Sequence, residues 1–177
     1  MRLLETLDHY DNLFLTSIFN LDGKRKFSNL LPWISHSANG YYYPALPFIL
    51  MLINPDVGLS FLITGLIAFI IELPAYKIIK HKIKRNRPYE VRENINNRIK
   101  PSDKFSLPSG HTSAACIMTI ILSYIYPIAS APLAIWTLLV GISRIYLGVH
   151  YPTDIVAGVA LGTLSAVSSI FITAHIL

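Results

Sequence analysis

The sequence predicts an all-α fold: an integral membrane helical bundle of five to six transmembrane helices with an N-terminal amphipathic helix. Three observations carry that expectation. Of the 177 residues, 53% are hydrophobic and 14% are charged, where soluble domains carry about a quarter charged residues. Several apolar runs approach the roughly 20 residues that a spanning helix needs. The unusual polar residues gather in a few short segments between those runs. The length suits one domain over residues 1–177, with no internal repeat or low-complexity tract. The single cysteine, Cys116, excludes a disulfide framework and a cysteine-based metal site.

The elements follow in chain order. Among the first twenty residues, Leu3, Leu4, Leu7, Leu13, Phe14, Ile18 and Phe19 are interspersed with Asp8 and Asp11. That pattern suits an amphipathic helix at the membrane interface, or a weak sixth span. The acids and the lack of a small-residue cleavage site argue against a removable signal peptide. Tyr41–Ile53 is a short fifth candidate that extends backwards through "LLPWISHSANG", with a break near Gly40. Tyr41, Tyr42 and Tyr43 resemble an aromatic belt at a membrane boundary. The four clear segments are Val57–Ile79, His111–Pro127, Ala129–Tyr146 and Ile155–Leu177. The middle two are joined by a short Pro127–Ala129 link that reads as a tight hairpin. Glu72 lies inside the first segment and is read as structural, with Pro74 marking a kink.

If each clear segment crosses once, the 80–110 loop and the 147–153 turn fall on the same membrane face. The hairpin at Ile128 falls on the other. Net charge is +5, and ten of the fifteen Lys and Arg lie between Lys77 and Lys104. Such a cluster suits nucleic acid, anionic headgroups or a phosphate substrate. The apolar runs flanking it argue against nucleic acid.

Three constellations share that face. In "KHKIKRNRP", Lys80 and Arg87 are seven residues apart, two helical turns if the helix persists. Pro88 disfavours helix at Arg87. Two cations at one spot suit a dianionic phosphate, Arg as a bidentate donor and Lys as a compact charge; a basic stretch holding lipid headgroups is the alternative. In "SLPSGHTSAA", Ser109 is a natural N-cap for a helix beginning near His111, and Gly110 lets backbone approach a ligand. A helix start of this kind binds anions, and His111 at its edge can exchange a proton near neutral pH. An ordinary capped helix with an interfacial histidine is the alternative there.

In "SRIYLGVHYPTD", Arg144 closes one membrane helix, while His150 and Asp154 flank the start of the next, with Pro152 in its first turn. Asp154, four residues after His150, can accept from one imidazole nitrogen and leave the other as nucleophile or base. A structural ion pair between Arg144 and Asp154 is the alternative, one that leaves His150 without a role. The carboxylates are too few and scattered for a paired acidic metal cage.

Taken together, these segments resemble the type-2 phosphatidic acid phosphatase superfamily. Its signature runs K-x6-RP, PSGH, SR-x5-H-x3-D. Here it reads Lys80 with Arg87-Pro88, then Pro108-Ser109-Gly110-His111, then Ser143-Arg144 with His150 and Asp154. The resemblance implies a lipid phosphatase that uses no metal or other cofactor. It implies that His150 attacks phosphorus to form a phosphohistidine, oriented by Asp154. His111 protonates the leaving oxygen. Lys80, Arg87, Arg144, Ser109 and the Gly110 N–H hold the phosphoryl oxygens. The partners expected are a phosphorylated lipid and the bilayer, with no nucleic acid. Phosphatidic acid, phosphatidylglycerophosphate, undecaprenyl pyrophosphate and lipid A phosphates all suit such a site. A non-enzymatic anionic-lipid-binding or transport protein is the rival class; it would not need His111 and His150 together.

The positive-inside rule would put the basic face in the cytoplasm. Several of those cations are needed for phosphate, however, and are a biased sample for the rule. Bacterial relatives that the chain resembles work on the outer face. The expectation is therefore an inner-membrane protein with its site on the periplasmic side.

Overall fold

The computed structural model describes residues 2–19 and 25–176, with side chains described over 9–19 and 29–175. Among these residues the structure is helical and contains no strand. The helices are α1 (Arg2–Phe19), α2 (Arg25–Ser37), α3 (Ala45–Ile53), α4 (Pro55–Ile83), α5 (Pro88–Val91), α6 (Gly110–Ile125), α7 (Ser130–Tyr146) and α8 (Pro152–Ile176). A 3-10 turn, Pro127–Ala129, joins α6 to α7, which is the tight link expected there. Among the described residues, three stretches are long and apolar enough to cross a membrane: Pro55–Val91, Pro127–Tyr146 and Pro152–His175. α6 has 16 residues and rises only about 24 Å, less than the hydrocarbon thickness of roughly 30 Å.

Local sequence sets the helix boundaries. Asn54 caps α4, its Oδ1 accepting from the N–H groups of Asp56 and Val57, and Pro55 fills the first turn where no donor is needed. α4 ends when Lys84 adopts the left-handed region at φ 51°. Arg87 is then extended, as the residue before a proline prefers, and Pro88 opens α5. The break in the N-terminal part falls at residues 38–44, around Gly40, between α2 and α3.

α8 packs on both α4 and α6, α3 lies against α4, and α2 lies against α7. The main core joins Leu50 of α3, Phe61 and Ala68 of α4, Ile117, Met118 and Ile121 of α6, and Ala166 of α8. Outward faces carry Ile70, Leu138, Leu164 and Phe171, all exposed. Apolar side chains on both faces are what a helix between protein and lipid requires. α1 crosses the ends of α7 and α8. It turns Asp11 and Leu15 inward and leaves Leu13 and Phe14 exposed. Its inward face is thus partly polar, and its outward face mixes Tyr10, Leu13 and Phe14 with His9, Thr16 and Ser17. The side chains of Leu3, Leu4, Leu7 and Asp8, and the whole of Leu177, lie outside the described residues.

Candidate active site

Three loops meet at one end of the bundle. Arg98 N–H donates to Leu147 O at 3.1 Å, and Ser109 N–H donates to Asp154 O at 3.0 Å. Arg87 Nη1 donates to Val149 O at 2.7 Å. The 84–109 connection and the α7–α8 turn therefore occupy the same end, and all three signature segments touch. Gly148 makes the turn possible. Its φ is +73°, and a Cβ there would lie 2.7 Å from Asn96 O, so a side chain would meet both strain and a clash.

Lys80 and Arg87 converge, although by a different route from the uninterrupted helix on which their spacing was read. α4 stops between them, and the chain turns Arg87 back. Lys80 Nζ lies 2.8 Å from Asp103 Oδ1, and Arg87 Nη2 lies 2.6 Å from the same oxygen. Lys80 also donates to Phe105 O, and Tyr76 Oη donates to Asp103 Oδ2. Both cations are almost fully buried, while the Asp103 side chain is 33% exposed. Burial opposes ionisation of Asp103. The hydrogen bonds from Lys80 and Tyr76 and the charges of Lys80 and Arg87 outweigh it and hold the carboxyl below its usual range.

Ser109 caps α6 as expected, its Oγ accepting from Thr112 N–H at 3.4 Å. The N–H groups of Gly110 and His111 are those that a helix start leaves without an intrahelical partner. Gly110 packs against Tyr76, whose ring would lie 3.0 Å from a Cβ. His111 Nε2 is 2.9 Å from Asn39 Oδ1, in the α2–α3 break. It is near enough to Arg144, Asp103 and Arg87 to feel their charges, and it is close to the second imidazole, His150.

His150 and Asp154 form the pair that their spacing predicts. Nδ1 faces Asp154 Oδ2 at 3.4 Å, which leaves Nε2 as the nitrogen turned away. Asp154 Oδ2 also accepts from Tyr151 N–H at 2.8 Å. That is the return half of a capping box at the start of α8. Burial drives the His150 pKa down to about 4, against the Asp154 hydrogen bond and charge, with Arg144 and Arg87 pushing the same way as burial. The imidazole is therefore neutral at pH 7, with a lone pair for nucleophilic or basic work.

Arg144 does not pair with Asp154. Its Nη1 donates to Ser35 Oγ at 2.8 Å, and its Nε is buried without a hydrogen-bond partner among the described residues. Asp154 instead pairs with Arg85, at 2.8 Å. No motif in the sequence marks Ser35, Asn39, Asp103 or Arg85 as part of the site, and Asp11 stands there only as an acid of an amphipathic helix.

Beside the site is a cavity of about 640 Å³ between α3, α4 and α6, lined by Tyr43, Phe48, Phe61, Phe69, Met118 and His111 among others. Glu72, 3% exposed, lies in its wall. Among the described residues, no group of three or more His, Cys, Asp or Glu side chains is placed to hold a metal ion.

Paired cations, a capped helix start and a carboxylate-braced imidazole thus lie together at one end of apolar helices. The model of the PAP2 superfamily matches residues 56–175, and the chain belongs to that superfamily as an integral membrane protein. It is 33% identical over 104 residues to the bacitracin transport permease protein BcrC of Bacillus licheniformis, covering 59% of this chain and 51% of that one. It is 26% identical over 159 residues to an undecaprenyl-diphosphatase of Sulfolobus acidocaldarius, covering 86% of this chain and 73% of that one. It is 35% identical over 103 residues to phosphatidylglycerophosphatase B of Bacillus subtilis, covering 50% and 46%. The chain thus spans about half the length of two of these three relatives. Its fold matches the crystal structure of Aquifex aeolicus LpxE with a TM-score of 0.79 at 24% identity, over 90% of this chain and 93% of that one. It also matches the transmembrane PAP2-type phosphatidylglycerolphosphate phosphatase of Bacillus subtilis, with a TM-score of 0.75 at 23% identity, over 97% and 88%.

Proposed function

We propose that the chain is a membrane-embedded lipid phosphatase that hydrolyses the phosphate monoester or diphosphate of a lipid through a phosphohistidine. The observation that carries this reading is the meeting of the Lys80–Arg87 cation pair with the neutral, Asp154-braced His150 at the end of the apolar helices. Residues 1–177 act as one domain, with α1 to α3 supplying the remaining one or two of five to six spans. The inner membrane and its periplasmic face are the proposed setting.

The phosphoryl group enters by replacing the Asp103 carboxylate on Lys80 and Arg87. Arg144, Ser109 and the Gly110 N–H take the remaining oxygens, so the charge that spreads over the equatorial oxygens meets fixed donors. The lone pair of His150 Nε2 attacks phosphorus as the bond to the lipid oxygen breaks. His111, carrying a proton taken up together with the anionic phosphate, gives it to that oxygen. Water then attacks the phosphohistidine and loses a proton to His111 as the P–N bond breaks, releasing inorganic phosphate and restoring both histidines. No metal enters either step.

The apolar cavity reaching His111 receives lipid chain on the leaving-group side. Phosphatidylglycerophosphate, phosphatidic acid, lipid A phosphate and undecaprenyl pyrophosphate are the candidate substrates. The test is phosphate release from each lipid in detergent micelles containing excess EDTA. The wild type turns over at least one of them, and His150→Ala, still monodisperse in detergent, turns over none. Near wild-type turnover by that variant would refute the nucleophile assignment.

A further inference from the structure

Asp154 has two carboxylate oxygens, and the superfamily signature accounts for one. Oδ2 serves His150 and the Tyr151 N–H. Oδ1 is 2.8 Å from Arg85 Nη1, which also donates to Thr153 Oγ1 at 2.6 Å. Arg85 Nη2 continues to Asp11 Oδ2 at 2.6 Å. Asp11 in turn accepts from Thr153 N–H at 2.9 Å and from Thr153 Oγ1. The Arg85 guanidinium lies 4.0 Å over the Tyr151 ring. Asp11 is 2% exposed and Asp154 is 0% exposed, so the chain of contacts is shielded from water along most of its length.

Such an arrangement limits the rotation of the Asp154 carboxylate. A carboxylate held only by His150 can turn about its Cβ–Cγ bond and swing the imidazole with it. Here one oxygen is fixed by a backbone N–H and the other by a guanidinium whose far side is anchored on a different helix. The two acids share one arginine, which keeps a buried carboxylate beside a neutral histidine electrostatically affordable. Asp11 also serves as the side-chain acceptor for the first turn of α8, from outside that helix.

We infer that Arg85, anchored by Asp11 of α1, is a positioning residue that fixes Asp154 and through it the attack angle of His150. This rests on the function proposed above. The contacts described for the Arg85 side chain run to Asp154, Thr153, Asp11 and Tyr151, so its loss is expected to act on the chemical step and not on phosphate capture.

The test is a double-mutant cycle. Each variant is purified in detergent and assayed for phosphate release from dioctanoyl phosphatidic acid in mixed micelles. Arg85→Met is expected to lower kcat roughly 30-fold while KM stays within about twofold, and Asp11→Asn to lower kcat about fivefold. Arg85→Lys, which keeps the charge but reaches one acid at a time, recovers part of the loss. In an Asp154→Asn background, Arg85→Met is expected to change the residual kcat less than about twofold, because the group it positions is already gone. A merely structural role would give the same fold-loss in both backgrounds, and that result, or a rise in KM at constant kcat, overturns the inference. If Arg85→Met does not yield folded protein, Asp11→Asn is carried through the same cycle under the same criteria. Wild-type turnover by Asp154→Asn alone is a different outcome: it refutes the catalytic reading on which the inference stands.

Discussion

Gly158 offers a test of how tightly the site depends on helix packing. It lies on α8, one turn beyond Asp154, against the start of α6. A Cβ there would lie 2.6 Å from Ser109 O, with Thr112 Cβ at 3.3 Å and Ser113 N at 3.4 Å. The nearest atom belongs to backbone, so it cannot step aside by changing rotamer. Ordinary contact begins at 3.4 Å, so Gly158→Ala must part the two helices locally by about 0.8 Å. The segment displaced carries Ser109, Gly110 and His111, and it is tied to Asp154 by the Ser109 N–H hydrogen bond. A misplacement near 1 Å costs about 10²-fold in rate, or roughly 2.7 kcal/mol of transition-state stabilisation. Phosphate release by Gly158→Ala in micelles should therefore show kcat/KM about two orders of magnitude below wild type. Val156→Ala, on the exposed face of the same helix, should match wild type. If Gly158→Ala keeps its fold in detergent and stays within threefold of wild type, the packing argument fails.

Two further outcomes follow from the site. Asp103→Asn removes a competing carboxylate from Lys80 and Arg87, so inorganic phosphate should inhibit the variant with a Ki about fivefold lower, the worth of one partly exposed ion pair; a higher Ki would mean that Asp103 serves the cations and does not compete with phosphate. His150 is held neutral in the fold, its pKa lowered from 6.5 to about 4. Its contribution to stability is complete above pH 6.5 and is lost as pH falls through that window, by about 3 kcal/mol in all. Thermal unfolding in detergent should therefore show wild type losing more stability than His150→Gln between pH 6.5 and 4.5, and parallel losses would contradict the buried neutral imidazole.

The parts of the site that were legible in the sequence are those fixed by local chemistry. Ser109 and Pro152 obey helix-start rules, and His150 and Asp154 are related by one turn of chain. Gly110 is read as letting backbone approach a ligand, whereas the close approach at Gly148 emerges only from the fold. Lys80 and Arg87 were brought together correctly on an incomplete premise, since the helix ends at Lys84 and a turn completes the convergence. What was not legible is what sequence distance hides. Asp103 meets Lys80 across 23 residues, Arg85 meets Asp11 across 74, and Arg144 meets Ser35 across 109. No periodicity links such residues. The inward turn of Asp11 also went unseen, because an acid on an apolar helix reads as a water-facing stripe until its buried partner is known. The boundaries of α6 show the same limit: its apolar run fits a span, yet its helix is only 16 residues long.

The carboxylate of Asp103 resting on Lys80 and Arg87 has a consequence for selectivity among lipids. A bilayer presents many phosphodiester headgroups, each carrying one negative charge, and far fewer terminal phosphates carrying nearly two. An internal occupant of charge minus one sets a threshold. A diester that evicts it gains almost nothing in charge, whereas a dianionic phosphate gains a full unit at two buried cations. On the proposed reading the resting enzyme ignores the abundant bulk lipid around it and yields its cradle only to the scarce group it cleaves.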